Sequence, residues 1–255
     1  MQAVILAGGL GTRLKEEAVI KPKPMVDVGG KPILWHIMKI YDHYGVRDFL
    51  VLLGYKGEAI KDYFLNYAYI NNDIEVDVGK SKVELVNGAP KDNWRVKLID
   101  TGLPTMTGGR IKRAAKHLED DFFLTYGDGV SDVDLKSLHA FHKKHGKIAT
   151  VTAISPPSKF GSLKLDGNRV TTFSEKPVGG EGRINGGFFE MKKDILDYIK
   201  GDSTILEYDS LEKLAEKGQL MAFHHDGFWR CVDTVRELDA LNAEYASGHA
   251  PWVKW

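Results

Sequence analysis

Cysteine is nearly absent from this 255-residue chain: Cys231 is the only one. No disulfide can form within it, which excludes the bridged framework of a small secreted domain. No Asn-x-Ser/Thr acceptor site occurs, and no apolar run approaches the ~20 residues that cross a bilayer. Charge of one sign is missing too. Thirty-five Lys and Arg balance thirty-five Asp and Glu, without a like-charged block. A nucleic-acid or membrane surface therefore has no electrostatic basis, while a small anionic ligand stays compatible with the balance. Met1 runs directly into an apolar stretch with no leader pattern, so the expectation is a soluble cytoplasmic protein. What is present is an ordinary apolar fraction of 43%, enough for a substantial core.

Short apolar runs alternate with helical patterns, which points to an α/β fold: a mixed, mostly parallel sheet flanked by helices. Residues 3–7, 49–53, 96–99, 122–126 and 148–154 read as strands. Ile33, Leu34, Ile37, Met38 and Tyr41 keep helical spacing behind Pro32, which suits a first helical turn, and Gly45 ends that helix. Further helices are expected over residues 60–67, 109–118, 134–145 and 235–245. Ile74, Val76, Val78, Val83 and Leu85 alternate around residues 79–82, a β-hairpin excursion rather than a domain. After Pro156 the chain becomes strand-rich, with Asp166-Gly167-Asn168 as a turn and strands near 187–191 and 220–224. No linker, repeat or low-complexity tract divides residues 1–255, which read as a single domain.

The first strand runs into Gly8-Gly9-Leu10-Gly11-Thr12-Arg13, and then into Lys21-Pro22-Lys23-Pro24. A dinucleotide fingerprint counted from Gly9 needs a third glycine where Leu14 stands, which disfavours a dehydrogenase. No Walker A loop occurs either. Glycines at a strand end still present backbone N–H groups to phosphate oxygens. Arg13 adds a forked, permanent charge. Pro22 and Pro24 stiffen the frame of Lys23 and bias it away from helix. Asp128, between Gly127 and Gly129, ends the apolar run 122–126, at the sheet edge where such folds bind ligands. Asp233 ends another apolar run; from pattern alone, a helix N-cap and a metal ligand are equally open readings.

AGGLGTRL with KPKPM and TYGDG resembles the signature of the sugar-phosphate nucleotidyltransferases. VGGKPILWHIM, GYKG, DTG, FHKKHGK, EKP and INGGFF extend the likeness along the whole chain, and MTGGR and APWVKW draw it to the cytidylyl branch. The resemblance implies a Rossmann-like nucleotidyltransferase fold and a reaction of CTP with glucose 1-phosphate that releases pyrophosphate, assisted by Mg2+. It implies Asp128 and Asp233 as the metal pair and Arg13, Lys23 and Asp128 as the catalytic groups. Leu6, Ala7, Gly8, Gly9, Gly11, Thr12, Arg13, Lys23, Thr105, Arg110 and Gly127 would bind the nucleotide. Glu175, Lys176, Asn185 and Gly187 would bind the sugar phosphate. It further suggests a homo-oligomer, a hexamer among the forms open to it.

Arg110 offers only donors, so against the pairing edge of a base it suits the N3 acceptor of cytosine; backbone groups of residues 6–9 are the alternative readers. Thr107 reads as a helix N-cap. His139, His142 and His145, interleaved with Lys143 and Lys144, read as a solvated or interface edge rather than a zinc site. Cys231 reads as core, and Trp252 and Trp255 must cover either their own chain or a neighbour. The same chemistry with UTP, dTTP or another phosphorylated acceptor remains open. A sensor without catalysis is disfavoured by the intact Arg13, Lys23, Asp128 and Asp233.

Overall fold

The structure, a computed structural model, describes residues 1–11, 21–86, 88, 92–155, 162–166, 169–174 and 182–255. Strand β1 (Gln2–Ala7) is followed by α1 (Ile33–His43), β2 (Asp48–Leu53) and α2 (Gly57–Leu65). A hairpin, β3 (Ile74–Asp77) and β4 (Lys82–Leu85), precedes β5 (Arg95–Asp100) and α3 (Thr107–Arg113). Next come β6 (Asp121–Tyr126), β7 (Gly129–Ser131), α4 (Leu135–His145) and β8 (Ala149–Ile154). A second hairpin pairs β9 (Ser162–Asp166) with β10 (Arg169–Ser174). The chain ends through β11 (Ile184–Asn185), β12 (Phe189–Lys192), β13 (Leu220–His225), β14 (Trp229–Cys231) and α5 (Val235–Ala246).

The main sheet runs β13-β8-β12-β6-β1-β2-β5, with β11 also against β8. Val4 lies opposite Leu50 on one side and Leu124 on the other, all parallel. β12 runs antiparallel to both β6 and β8, so the sheet is mixed and mostly parallel. β1 crosses over to β2 and β5, and the chain then returns to lay β6 on the opposite side of β1. The carboxyl ends of β1 and β6 thus diverge at a topological switch point, where open α/β sheets hold ligands.

Continuous apolar strands form here because both sheet faces are covered. Ile5 and Ala7 of β1, Val51 of β2 and Phe123 of β6 pack toward α1, whose Ile33, Ile37, Met38 and Tyr41 are fully buried. Val4, Leu6, Leu50, Leu52 and Leu124 face the other way, onto Ile111 of α3, onto Ala114 just past its end, and onto Leu206, Leu211 and Leu214. Helix ends follow local chemistry. Asp134 accepts from the backbone of Lys136 and Ser137 at the start of α4, and Gly146 closes it at φ 66°. Thr234 and Glu237 form a capping box on α5.

Several expectations need correction. Pro32 is the N-cap of α1, with extended ψ of 143°, rather than part of its first turn. The helix expected over 109–118 starts at Thr107 and ends at Arg113, followed by a single 3-10 turn. The strand expected near 187–191 forms as β12 but begins only at Phe189, because Gly187 and Phe188, at φ 72° and 45°, belong to the link from β11. The turn of the second hairpin, residues 167–168, lies outside the described residues. The first hairpin forms, but Ile74, Val76 and Val83 stay exposed and it adds nothing to the core. Trp252 is buried on its own chain, stacked on Phe228 and bonded to His36, while Trp255 lies 39% exposed against Trp35.

The α4 histidines are not a solvated edge. His142 is fully buried, and both it and His145 bond the Thr150 hydroxyl at 2.7 Å. His139 meets the fully buried Glu190 of β12 at 2.8 Å. Burial pushes the Glu190 carboxyl up from 4.5 to about 7, with His139 and Lys143 opposing and Asp121 adding to the rise. A carboxyl whose folded pKa is raised contributes stability at low pH that is lost as pH climbs toward its folded value. Stability is therefore expected to fall between pH 4.5 and 7, by up to roughly 3 kcal/mol from this group. Glu190→Gln should flatten that part of a Tm-against-pH curve. An unchanged slope in the variant would remove Glu190 as its source.

Candidate active site

A cleft of about 560 Å³ opens at the switch point, within the range typical of ligand sites. Leu6, Ala7, Gly8, Gly9 and Gly11 line it from the end of β1; Gly127 and Asp128 from the end of β6. Thr105, Thr107 and Arg110 close it from the start of α3, and Lys23, Pro24 and Asp233 from the remaining side. Thr12, Arg13, Glu175 and Lys176 lie outside the described residues. The other nucleotide-side and metal candidates, from five separated stretches of sequence, share this one cleft.

Its electrostatic centre is Lys23. Pro22 and Pro24 are buried, and the chain makes a single 3-10 turn over Lys23–Met25 with Pro22 as its cap. The expected bias of Lys23 away from helix thus gives way to one tight turn that is not continued. From there the ammonium reaches Asp128 Oδ2 at 2.5 Å and Asp233 Oδ1 at 2.7 Å. Burial opposes the charge, but Asp128 and then Asp233 outweigh it and raise the Lys23 pKa above the ordinary lysine value. Asp233 is not the N-cap of α5, since Thr234 takes that role. Its carboxylate faces the cleft.

Two carboxylates that converge on one ammonium can converge on one cation. Among the described residues no group of three or more His, Cys, Asp or Glu side chains forms a metal centre. Magnesium does not need one, because it takes one or two carboxylates and completes its shell with phosphate oxygens and water. Asp128 and Asp233, brought together at the Lys23 ammonium, fit that demand. Cys231 is half-buried beside this pair rather than in the core. Burial, then Asp233 and Asp128, push its thiol up to about 12, so it is no nucleophile at neutral pH.

Arg110 is 5% exposed and lies across the cleft floor. Its Nη1 donates to Leu53 O and Gly102 O at 2.9 Å and to Thr101 Oγ1 at 2.7 Å. Its Nη2 donates to Gly8 O at 2.9 Å and Leu103 O at 3.3 Å. A Cβ at Gly8 or Gly54 would fall on this guanidinium, which accounts for glycine at both positions. The expectation that Arg110 turns its donors to a base edge is corrected to this extent: both terminal nitrogens are committed to protein acceptors. Thr105 is similarly engaged, donating to Thr101 O at 2.6 Å. The pair therefore shapes the loop ends around the cleft.

Thr107 is the first residue of α3 rather than its cap, which is Met106. Its hydroxyl accepts from Leu206 N at 2.9 Å and donates to Glu207 Oε2 at 2.8 Å. Asn185 does not line the cleft but reaches its edge, donating to the Tyr126 hydroxyl at 3.1 Å, and Gly187 lies against the Tyr126 ring. Sequence reasoning passed over Tyr126, Glu207 and Trp229, whose Nε1 donates to Gly186 O at 2.6 Å. Tyr126 is the one with a local signal, since it directly precedes Gly127-Asp128. Glu207 carries none.

A lysine held between two carboxylates beside a glycine loop at the switch point suits group transfer from a nucleotide. Residues 2–248 match the family described as nucleotidyl transferase, and the chain belongs to it. It is 50% identical to the glucose-1-phosphate cytidylyltransferases of Salmonella typhi and Salmonella typhimurium, each over 257 residues that cover 100% of both chains. The crystal structure of HddC from Yersinia pseudotuberculosis complexed with GMP-PN covers 96% of this chain and 99% of its own, with TM-score 0.70 at 28% identity. Nucleotidyltransferases of this kind generally use a divalent metal, which agrees with the donor set. No helix among the described residues is long and apolar enough to cross a membrane.

Proposed function

We propose that this enzyme transfers the cytidylyl group of CTP to glucose 1-phosphate, giving CDP-glucose and pyrophosphate. The observation that carries the chemistry is the Lys23 ammonium held between Asp128 and Asp233 in the cleft beside the glycine loop. The choice of substrates is supported by the full-length similarity to the Salmonella enzymes.

An oxygen of the sugar phosphate attacks the α-phosphorus of CTP in line, and the bond from that phosphorus to the β-phosphate bridging oxygen breaks. The electron pair leaves with pyrophosphate. The attacking phosphate is already ionised, so no protein base is needed. Asp128 and Asp233 would hold a magnesium ion, which would supply charge neutralisation for the triphosphate. Lys23 stabilises charge on the pentavalent α-phosphoryl group, with Arg13 as its partner on the glycine loop. Backbone N–H groups of Gly8, Gly9 and Gly11 bind the phosphates. Because Arg110 is committed to Gly8 O and Leu53 O, base choice falls to the backbone of residues 6–9 that it fixes, with Leu6, Ala7, Thr12 and Gly127 completing the nucleotide side. Glu175, Lys176, Asn185 and Gly187 form the acceptor side.

A homo-oligomer belongs to the same proposal, hexameric if the resemblance extends that far. Leu65, Ile70, Val76 and Val78, on and before the first hairpin, are exposed, and apolar side chains left uncovered in one copy support association with another. Light scattering that returned a monomer would remove this part. The substrates are tested by pyrophosphate release across CTP, UTP, dTTP and GTP, each with several sugar 1-phosphates. The expected optimum is CTP with glucose 1-phosphate; a better rate with another pair replaces the substrate assignment.

A further inference from the structure

Outside the groups already placed in the chemistry, one connected set of side chains borders the cleft. Glu207 accepts from the Tyr126 hydroxyl at 2.6 Å through Oε1 and from the Thr107 hydroxyl at 2.8 Å through Oε2. Asn185 Nδ2 donates to the same Tyr126 oxygen at 3.1 Å, and Asn185 Oδ1 accepts from Gly187 N at 2.8 Å. The direction of every bond is determined. An ionised carboxylate only accepts, so Tyr126 must point its proton at Glu207 and present a lone pair to Asn185. The Asn185 amide is thereby oriented, nitrogen to tyrosine and oxygen to Gly187.

Glu207 is itself rigidly placed. It lies on a π-helical turn, Leu206–Leu211, a rare conformation that recurs at functional sites. The preceding segment is bound to the start of α3: Met106 N donates to Asp202 O at 2.8 Å and Gly108 N to Thr204 O at 3.0 Å. A Cβ on Gly108 would sit 2.9 Å from Thr204 O and one on Gly109 2.5 Å from Asp202 O. The two glycines of the MTGGR motif therefore exist to admit this segment. The same carboxylate consequently bonds the helix that closes the nucleotide side and the tyrosine that leads to Asn185.

We propose that Glu207 is a positioning residue for the acceptor: it locks Tyr126, and through it Asn185, into a preset hydrogen-bonding edge for the sugar hydroxyls, anchored on α3 through Thr107. This rests on the reading of Asn185 and Gly187 as the acceptor side. An edge oriented before binding costs the acceptor less ordering on arrival, so its loss falls on acceptor affinity rather than on CTP.

The experiment measures KM for glucose 1-phosphate and for CTP in wild type, Glu207→Ala, Glu207→Gln, Tyr126→Phe and the Glu207→Ala/Tyr126→Phe double variant. Glu207→Ala should raise the acceptor KM roughly tenfold, the scale of one lost charged hydrogen bond, with the CTP KM changed less than about twofold. Glu207→Gln, which still accepts from Tyr126, should recover most of that loss. Tyr126→Phe should match Glu207→Ala, and the double variant should be no worse than either, as for links of one chain. Parallel rises in both KM values, or additive losses in the double variant, overturn the proposal. Should Glu207→Ala fail to fold, Tyr126→Phe and Glu207→Gln carry the same comparison. If wild type prefers another acceptor, the substrate reading fails, yet the KM split is read with that acceptor and still decides the role of Glu207.

Discussion

Asp128→Asn and Asp233→Asn should each leave a folded protein whose turnover is lower by roughly a hundred- to ten-thousand-fold, the range spanned by losing several kcal/mol of metal-borne stabilisation. Asparagine nearly preserves shape and volume, and in either variant Lys23 keeps one of its two carboxylate partners, at 2.5 or 2.7 Å. The side chains are 28% and 30% exposed, so the change in stability is small beside the change in rate. The loss should be deepest at low magnesium, because one carboxylate and the triphosphate must then hold the ion without the second ligand. Thermal unfolding checks the fold, and pyrophosphate release against magnesium concentration checks the role. Wild-type rates at limiting magnesium in either variant would end the assignment of that residue.

Lys23→Ala should reduce kcat by roughly 10²- to 10³-fold, the effect of removing one donor aimed at developing charge. KM for CTP should change much less, because the charge matters most as the α-phosphate becomes pentavalent. The structure adds a second signature that does not depend on turnover. Without the ammonium, Asp128 and Asp233 face each other with no charge between them, and a divalent cation can take the vacated place. Binding to the folded state alone stabilises it by mass action. The Tm of Lys23→Ala should therefore be lower than wild type without magnesium, and should rise more steeply as magnesium is added. A rise in KM for CTP with kcat intact would make Lys23 a ground-state anchor. A Tm without added magnesium dependence would mean that the ammonium does not occupy the cation's place.

Much of the fold was legible because burial on both faces leaves a plain signal. β1, β2 and β6 are continuous apolar runs since each lies inside a covered parallel sheet. α1 was readable from five residues at helical spacing and a glycine at its end, and these residues are its buried face. The glycine loop and the Lys23 frame were legible as neighbours of one ligand cleft, and their proposed phosphate role rests on what glycine, proline and lysine can do there. The sequence on its own thus determined an α/β sheet; it offered a phosphate-binding first loop and an Asp128–Asp233 metal pair as proposals, with the resemblance choosing between the two readings of Asp233.

What the tertiary structure alone decided is which groups meet. Lys23 lies 105 residues from Asp128 and 210 from Asp233, and only the return of the chain across the switch point closes that gap. Arg110 is a donor in any sequence reading, but its direction depends on the carbonyls of Gly8 and Leu53, whose positions come from two different strands. The α4 histidines have a spacing that suits either solvent or interior. It was the polar Thr150 and Glu190 on the sheet beneath that turned them inward. Glu207 had no local mark, because its two partners are 81 and 100 residues away in sequence. Hydrophobic periodicity is a property of neighbours along the chain, and so it is written there. The direction of a hydrogen bond is set by neighbours in space, which only the folded chain supplies.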